Sequence, residues 1–309
     1  MMSFDQKTEL LLNQLKDKHA EFEVLIARYR LAITDFERST QGDMYTYPPE
    51  YWILVIRCDA LVKLRIMLES NFNYIETLSL LATTRYIFEL SIWLKAIRMN
   101  RQYAIFYVYK LIDGAEEHNG DFLKQVKSEI ELLRYFAARE DHLQNDITKT
   151  LTAQKASPAE IVSARKRISN QIDEEANRKF CVYYEEAKVR GYGLQANLVE
   201  EQILPHAIRE HLDSKSSKEK YEKQWDQVLK ATTKRWNWKD MAEKVGLKDE
   251  YEYIYSYTSR LLHAKPSSLT TNQKSLESPE VYIFLRYSLG KISEIIEECN
   301  ADPLQSRLH

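Results

Sequence analysis

Two short patterns in this 309-residue chain set acid–base groups at helical spacing. Arg85 and Glu89 stand four apart within an apolar run, and Ser259, Arg260 and His263 close a run of tyrosines nearer the C-terminus. At 100° per residue, Glu252, Ser256, Ser259, Arg260 and His263 share about a third of the helix circumference, with Ile254, Tyr257, Leu261 and Leu262 elsewhere. Pro266 ends this helix near Lys265, so His263 falls in its last turn, where the helix dipole favours imidazolium. A histidine beside a hydroxyl and a guanidinium is an acid–base unit, and an arginine held by a glutamate stabilises a developing anion. The same residues have a structural alternative. In it His263 caps the helix, Ser259 bonds back to a carbonyl, and Arg85 pairs with Glu89 because a lone buried charge is expensive.

A third pattern is basic and aromatic. Between Lys215 and Lys239 eight lysines and arginines outnumber three acids, with Tyr221, Trp225, Trp236 and Trp238 interleaved. Cations that neutralise phosphate next to rings that stack on bases suit single-stranded nucleic acid, and Lys234, Arg235, Trp236 and Trp238 are the candidate contacts. Tryptophans at helical spacing also serve as core anchors, and a lysine run also makes a solvated face. Lys239–Leu247 has the look of the first half of a helix-turn-helix, but the acidic, aromatic Asp249–Tyr253 follows where a basic recognition helix belongs. No glycine-rich nucleotide loop, metalloprotease or nucleophile-elbow motif is present, so no cofactor is expected. His206 and His211, five apart, fall on different helix faces, and no metal site is assigned.

The elements that must position these groups are helices. Only 7 Gly and 7 Pro interrupt the chain, and apolar residues recur every three or four positions. The expected fold is all-α: a helical bundle with a central apolar helix and a charged helical-hairpin arm. Helices are expected over Asp5–Arg38, Pro49–Asn71 and Tyr74–Met99, the last apolar on every side and therefore central. Two more span Gln102–His118 and Asp121–Asp141 or beyond. From about Asp141 to Arg190 the apolar stripe thins to Leu143, Ile147, Leu151, Ile161, Ile168 and Ile172. That stretch, turned at Ser157-Pro158, reads as a protruding arm or as an ordinary amphipathic pair packed on the body. The polar His211–Lys223 reads as a loop or internal boundary. The expected division is residues 1–140 as one half of the bundle, 141–192 as the arm, and 193–309 as helices completing the same bundle.

With 44 Lys and Arg against 46 Asp and Glu, charge is too balanced for a nucleic-acid-coating tail, and 44% apolar residues exclude a disordered chain. Cys58, Cys181 and Cys299 are odd in number and widely separated, which fits a reducing, cytoplasmic setting. Acidic residues come early in the first helix without the apolar core of a secretory signal, and no apolar run approaches the ~20 residues of a bilayer span, so no membrane association is expected.

Arg85-Tyr86-Ile87-Phe88-Glu89 together with Tyr255, Tyr257 and Ser259-Arg260-Leu261-Leu262-His263 resembles an uncharacterised bacterial family of helical proteins marked by R-x-x-x-E in one helix and S-x-x-x-H at the end of another. The resemblance spans roughly residues 48–300, with the charged arm as a departure. That family in turn is broadly similar to the HEPN group, many of whose members are metal-independent ribonucleases of toxin and antiviral defence systems. In those enzymes an arginine and a histidine four to six residues apart act on the RNA phosphodiester, commonly across a dimer interface. Here only two residues separate Arg260 from His263. The resemblance carries over Arg85, Glu89, Ser259 and His263, which with Arg260 of the same polar face make the candidate catalytic set, and it implies RNA as a partner and a homodimer. The alternative is a non-catalytic interaction module in which the same set is a structural network and the charged arm recruits a protein partner.

Overall fold

The structure, a computed structural model, describes residues 3–40, 44–71, 77–232, 236–262 and 276–301. Among them it is all-α, without strands. The helices are α1 (Phe4–Ser39), α2 (Pro49–Asn71), α3 (Thr77–Met99), α4 (Gln102–Ala153), α5 (Pro158–Asn177), α6 (Tyr184–Arg190), α7 (Tyr192–Leu198), α8 (Leu204–Thr232), α9 (Trp238–Lys244), α10 (Lys248–Leu262) and α11 (Ser278–Asn300). A 3₁₀ turn at Met44–Thr46 precedes α2, and a π-helical turn at Val199–Ile203 joins α7 to α8.

Local chemistry explains the boundaries. Ser3 caps α1 in a reciprocal box with Gln6, and Ser157 caps α5 with Glu160, followed by Pro158 in the first turn, where a missing N–H does no harm. The turn expected at Ser157-Pro158 is therefore the start of α5. Gly191 takes a left-handed φ of 91° between α6 and α7, a conformation that favours glycine.

The chain divides into two compact units, one of residues up to Tyr109 and from Tyr221 onward, the other Lys110–Lys220. In the first unit, α1 packs on α2 and α11, and α3 packs on α2, α9, α10 and α11. Phe22, Tyr29, Leu61, Leu81, Ile87, Phe88 and Leu285 lie at its centre, fully buried. The second unit has its own core, built from Val126, Leu133 and Phe136 of α4, Ile172 and Ala176 of α5, and Tyr192 and Ala196 of α7. The hairpin of α5 with the end of α4 belongs to this unit, where Gln144 of α4 meets Arg165 and Ser169 of α5.

Three expectations about elements are corrected. The helices expected over Gln102–His118 and Asp121–Asp141 are one helix, α4, unbroken at Asn119-Gly120. A glycine inside a helix costs only about 1 kcal/mol. Here the helix continues because the Asn119 amide donates to the Glu210 carbonyl and a bare Gly120 leaves room for the His211 ring. The stretch His211–Lys223, expected as a loop or internal boundary, is helical and part of α8, although the division between the two units does fall within it, after Lys220. Lys218 reaches both Asp113 and Glu116, and the fully buried Tyr221 donates to the Ile105 carbonyl, so tertiary partners override the serine-rich composition. The backbone leaves helical geometry only at Trp225. Finally, α3 is not covered on every side. Ala82 is exposed and Arg85, Tyr86, Glu89 and Trp93 are half-buried, a stripe at helical spacing that opens to the surface. Of the expected start of α3, Tyr74–Glu76 lies outside the described residues.

Candidate functional site

The open stripe of α3 meets α10. Arg85 Nε donates to Glu89 Oε1 at 2.9 Å, and both side chains keep about a quarter of their surface exposed. The Arg85 guanidinium lies 4.2 Å from the centre of the Tyr255 ring, within cation–π range. Tyr255 in turn stacks on Tyr251 at 4.8 Å, and Tyr251 leans against Phe88 of α3. Partial burial works against the charge on Arg85, but the Glu89 carboxylate and the Tyr255 phenol outweigh it and hold the guanidinium protonated. The site therefore presents a permanent cation framed by a carboxylate and aromatic faces.

Tyr86 borders the same stripe. Burial, followed by the influence of Tyr107 of α4 and Asp59 of α2, pushes its phenol up to about 12. Tyr107 is raised by its burial and then by Asp59, and partial burial lifts the Asp59 carboxyl above the ordinary range even though the residue reaches solvent. Both phenols are therefore neutral hydrogen-bonding groups at pH 7 and not bases. Sequence reading quoted Tyr86 without giving it a role and missed Asp59 and Tyr107 as its neighbours because they come from α2 and α4. The one available signal was an excess of tyrosine, 20 in 309 residues.

The second pattern is placed in part. Ser259 and Arg260 fall in the last turn of α10, one turn beyond Tyr255, and His263 lies outside the described residues, as do the Ser259 and Arg260 side chains. The structure thus brings Arg85 and Glu89 against the helix that carries Ser259 and Arg260. The exposed Glu252 and Ser256, with the buried Ile254 and Thr258 opposite, agree with the polar face assigned to that helix.

In the basic aromatic stretch, Lys234 and Arg235 lie outside the described residues. Trp236 stacks on Trp93 of α3 at 3.7 Å and 12°, and Phe106 and Tyr103 close around it. Trp238 stands edge-on to Trp236 at 5.5 Å. One face of the Trp236 ring is thus occupied by Trp93, and both half-buried tryptophans belong to an aromatic cluster. Among the described residues no group of histidines, cysteines and acids is arranged to hold a metal ion, and no helix is long and apolar enough to cross a membrane.

These features define an all-helical protein with an Arg–Glu pair set against a tyrosine-lined helix. The chain belongs to a family of unknown function, DUF5677, whose model matches residues 64–279 and so includes α3, α10 and both patterns. No curated protein and no solved structure matches the chain.

Proposed function

We propose that the chain is a metal-independent endoribonuclease of the HEPN type, serving in bacterial toxin or antiviral defence, with its centre where α3 meets the end of α10. The observation that carries this reading is the Arg85 guanidinium, held charged by Glu89 and Tyr255, against the helix that leads into Ser259, Arg260 and His263. In this reading His263 removes the 2′-hydroxyl proton as that oxygen attacks the adjacent phosphorus, and returns a proton to the departing 5′-oxygen. Arg85, with Arg260, offsets the added negative charge on the phosphate, Glu89 orients Arg85, and Ser259 positions the histidine. The family resemblance adds that two copies complete the centre, and the three free cysteines suit a reducing cytoplasm.

The test is incubation of purified protein with mixed RNA in EDTA, wild type beside His263→Ala and Arg85→Ala, with each variant's fold checked by thermal melting. Loss of cleavage by about 10²-fold or more in a folded His263→Ala variant supports the reading. Absence of cleavage by the wild type overturns it.

A second reading is favoured by one observation. Arg85 and Glu89 already satisfy each other, as structural pairs do. In that case the centre fixes the register of α3 on α10, and the chain acts as an interaction module whose charged hairpin recruits a protein partner. Both variants would then melt at lower temperature with no RNA cleavage to lose.

A further inference from the structure

Two sides of α1 carry apolar residues, and only one of them meets the rest of the fold. Leu15, Phe22, Leu25, Tyr29 and Ala32 are buried, on the side that packs on α2 and α11. On the outer side Ala20, Val24, Ala27 and Leu31 follow one another at steps of four, three and four residues, and all four are exposed. Val24 at 59% and Leu31 at 67% are the most exposed large hydrophobic residues described in the first unit. Steps that alternate between three and four keep one narrow line along a helix, which is the spacing of a helix–helix seam. Single exposed apolar residues are ordinary, but a line of them marks a contact surface.

The edges of this line carry charge in a repeating order. Lys16, Glu23, Arg30 and Glu37 recur at every seventh residue on the edge next to α2, where Glu23 meets Arg65 and Glu37 accepts from Tyr51. Glu21 and Arg28 stand on the edge next to α11, where Arg28 donates to Asn300. All six side chains are exposed, so the bonds they make within one copy are surface bonds of small value, and each head group has room for a second partner.

We infer that α1 is the self-association surface of this protein, pairing through its outer side with α1 of a second copy, antiparallel across a two-fold axis. The order of residues in the line selects that direction. In an antiparallel pair centred between Leu25 and Ile26, Leu31 packs on the partner's Ala20 and Val24 on the partner's Ala27. Each large side chain meets a small one, so the two helices interdigitate without a void. The same register sets Glu23 by the partner's Arg30, Lys16 by the partner's Glu37 and Glu21 by the partner's Arg28, and the two-fold axis repeats every pair. Each facing pair is of opposite sign. A parallel pair also matches charges along its edges, but it sets alanine on alanine and brings Asp17 against its own copy at the seam. A partner of uniform charge would oppose half of these side chains, whereas a second copy matches all of them. This surface precedes residues 64–279, which match the family, and it is separate from the Arg85 centre at α3 and α10. It therefore does not rest on the ribonuclease reading.

The experiment is sedimentation equilibrium of the full chain across the micromolar range, wild type beside Leu31→Glu, Glu23→Arg and the double variant Glu23→Arg/Arg30→Glu. The altered side chains are exposed in one copy, so each variant should fold, and circular dichroism with thermal melting verifies it. The expected species is a dimer with twice the 36.5 kDa mass of the chain. Its dissociation constant should rise roughly tenfold or more in Leu31→Glu and about tenfold in Glu23→Arg, where two facing pairs turn repulsive. Adding Arg30→Glu to Glu23→Arg should restore the wild-type value, because the pair returns with its signs exchanged. Adding Arg28→Glu instead should weaken the dimer further. Rescue by Arg28→Glu and not by Arg30→Glu would show a parallel pair and overturn the arrangement. Folded wild type that stays monomeric at about 100 μM, or a dimer indifferent to Leu31→Glu, overturns the inference. A dimer with the expected responses and no RNA cleavage removes the ribonuclease reading and leaves the α1 seam standing.

Discussion

Arg85 shows how a charge survives inside a helical bundle. Its helix is apolar on the sides that face α2 and α11, yet the guanidinium has a carboxylate on its own helix and a ring from α10 within reach. An arginine can satisfy both partners because its planar guanidinium hydrogen-bonds in its plane and stacks through its face, which a lysine does not reproduce. Asp113 in the second unit shows the same balance with the sign reversed. Burial opposes its charge, but Lys110 at 2.9 Å and Lys218 at 2.7 Å prevail and hold the carboxyl below its ordinary value. A carboxyl depressed in the folded state stabilises the fold above its unfolded pKa, and that contribution disappears as pH falls through the folded value. Wild type should therefore melt above Asp113→Asn by the equivalent of about 1 kcal/mol between about pH 5 and 7, with the gap closing below about pH 4. A gap that persists unchanged in acid would mean the lysines are not what holds Asp113.

At the scale of elements, α4 is the longest helix and contains two glycines, Gly114 and Gly120, that look alike in sequence. Their surroundings differ. A Cβ added at Gly114 meets nothing within 4 Å, whereas one at Gly120 would arrive 3.4 Å from the His211 ring. Gly114→Ala should raise stability by about 0.5–1 kcal/mol through reduced backbone entropy in the unfolded chain. Gly120→Ala should gain less, because the added methyl crowds the imidazole. Comparing urea midpoints of the two variants checks this, and equal gains would show that His211 moves aside freely.

The whole molecule holds two cores rather than one. All five tryptophans, Trp52, Trp93, Trp225, Trp236 and Trp238, lie outside Lys110–Lys220, so their fluorescence reports on the first unit while circular dichroism reports on both. Phe136 is fully buried in the core of the second unit, against Tyr192 at 5.5 Å. Phe136→Ala should remove about 3–5 kcal/mol from that unit. The expected outcome is an early circular-dichroism transition with tryptophan emission still native. Simultaneous loss of both signals would mean that the units unfold as one cooperative body.

The all-α fold, the start of α2 at Pro49, and the pairing of Arg85 with Glu89 were legible in the chain alone, since each depends on residues within a turn or two of one another. The tertiary structure decided what depends on distant partners. It carried α4 through Gly120 and α8 through a serine-rich stretch, because His211, Asp113, Glu116 and Ile105 supply contacts that composition does not record. It set Trp236 on Trp93, so that one face of a ring offered as a nucleic-acid contact packs on a neighbouring helix. It also laid Tyr255 over Arg85 and left the outer side of α1 bare, since periodicity alone does not say which of two apolar sides meets a neighbour. Local hydrogen bonding and periodicity are short-ranged and leave their mark in sequence. Side-chain packing between helices is settled only when the chain folds.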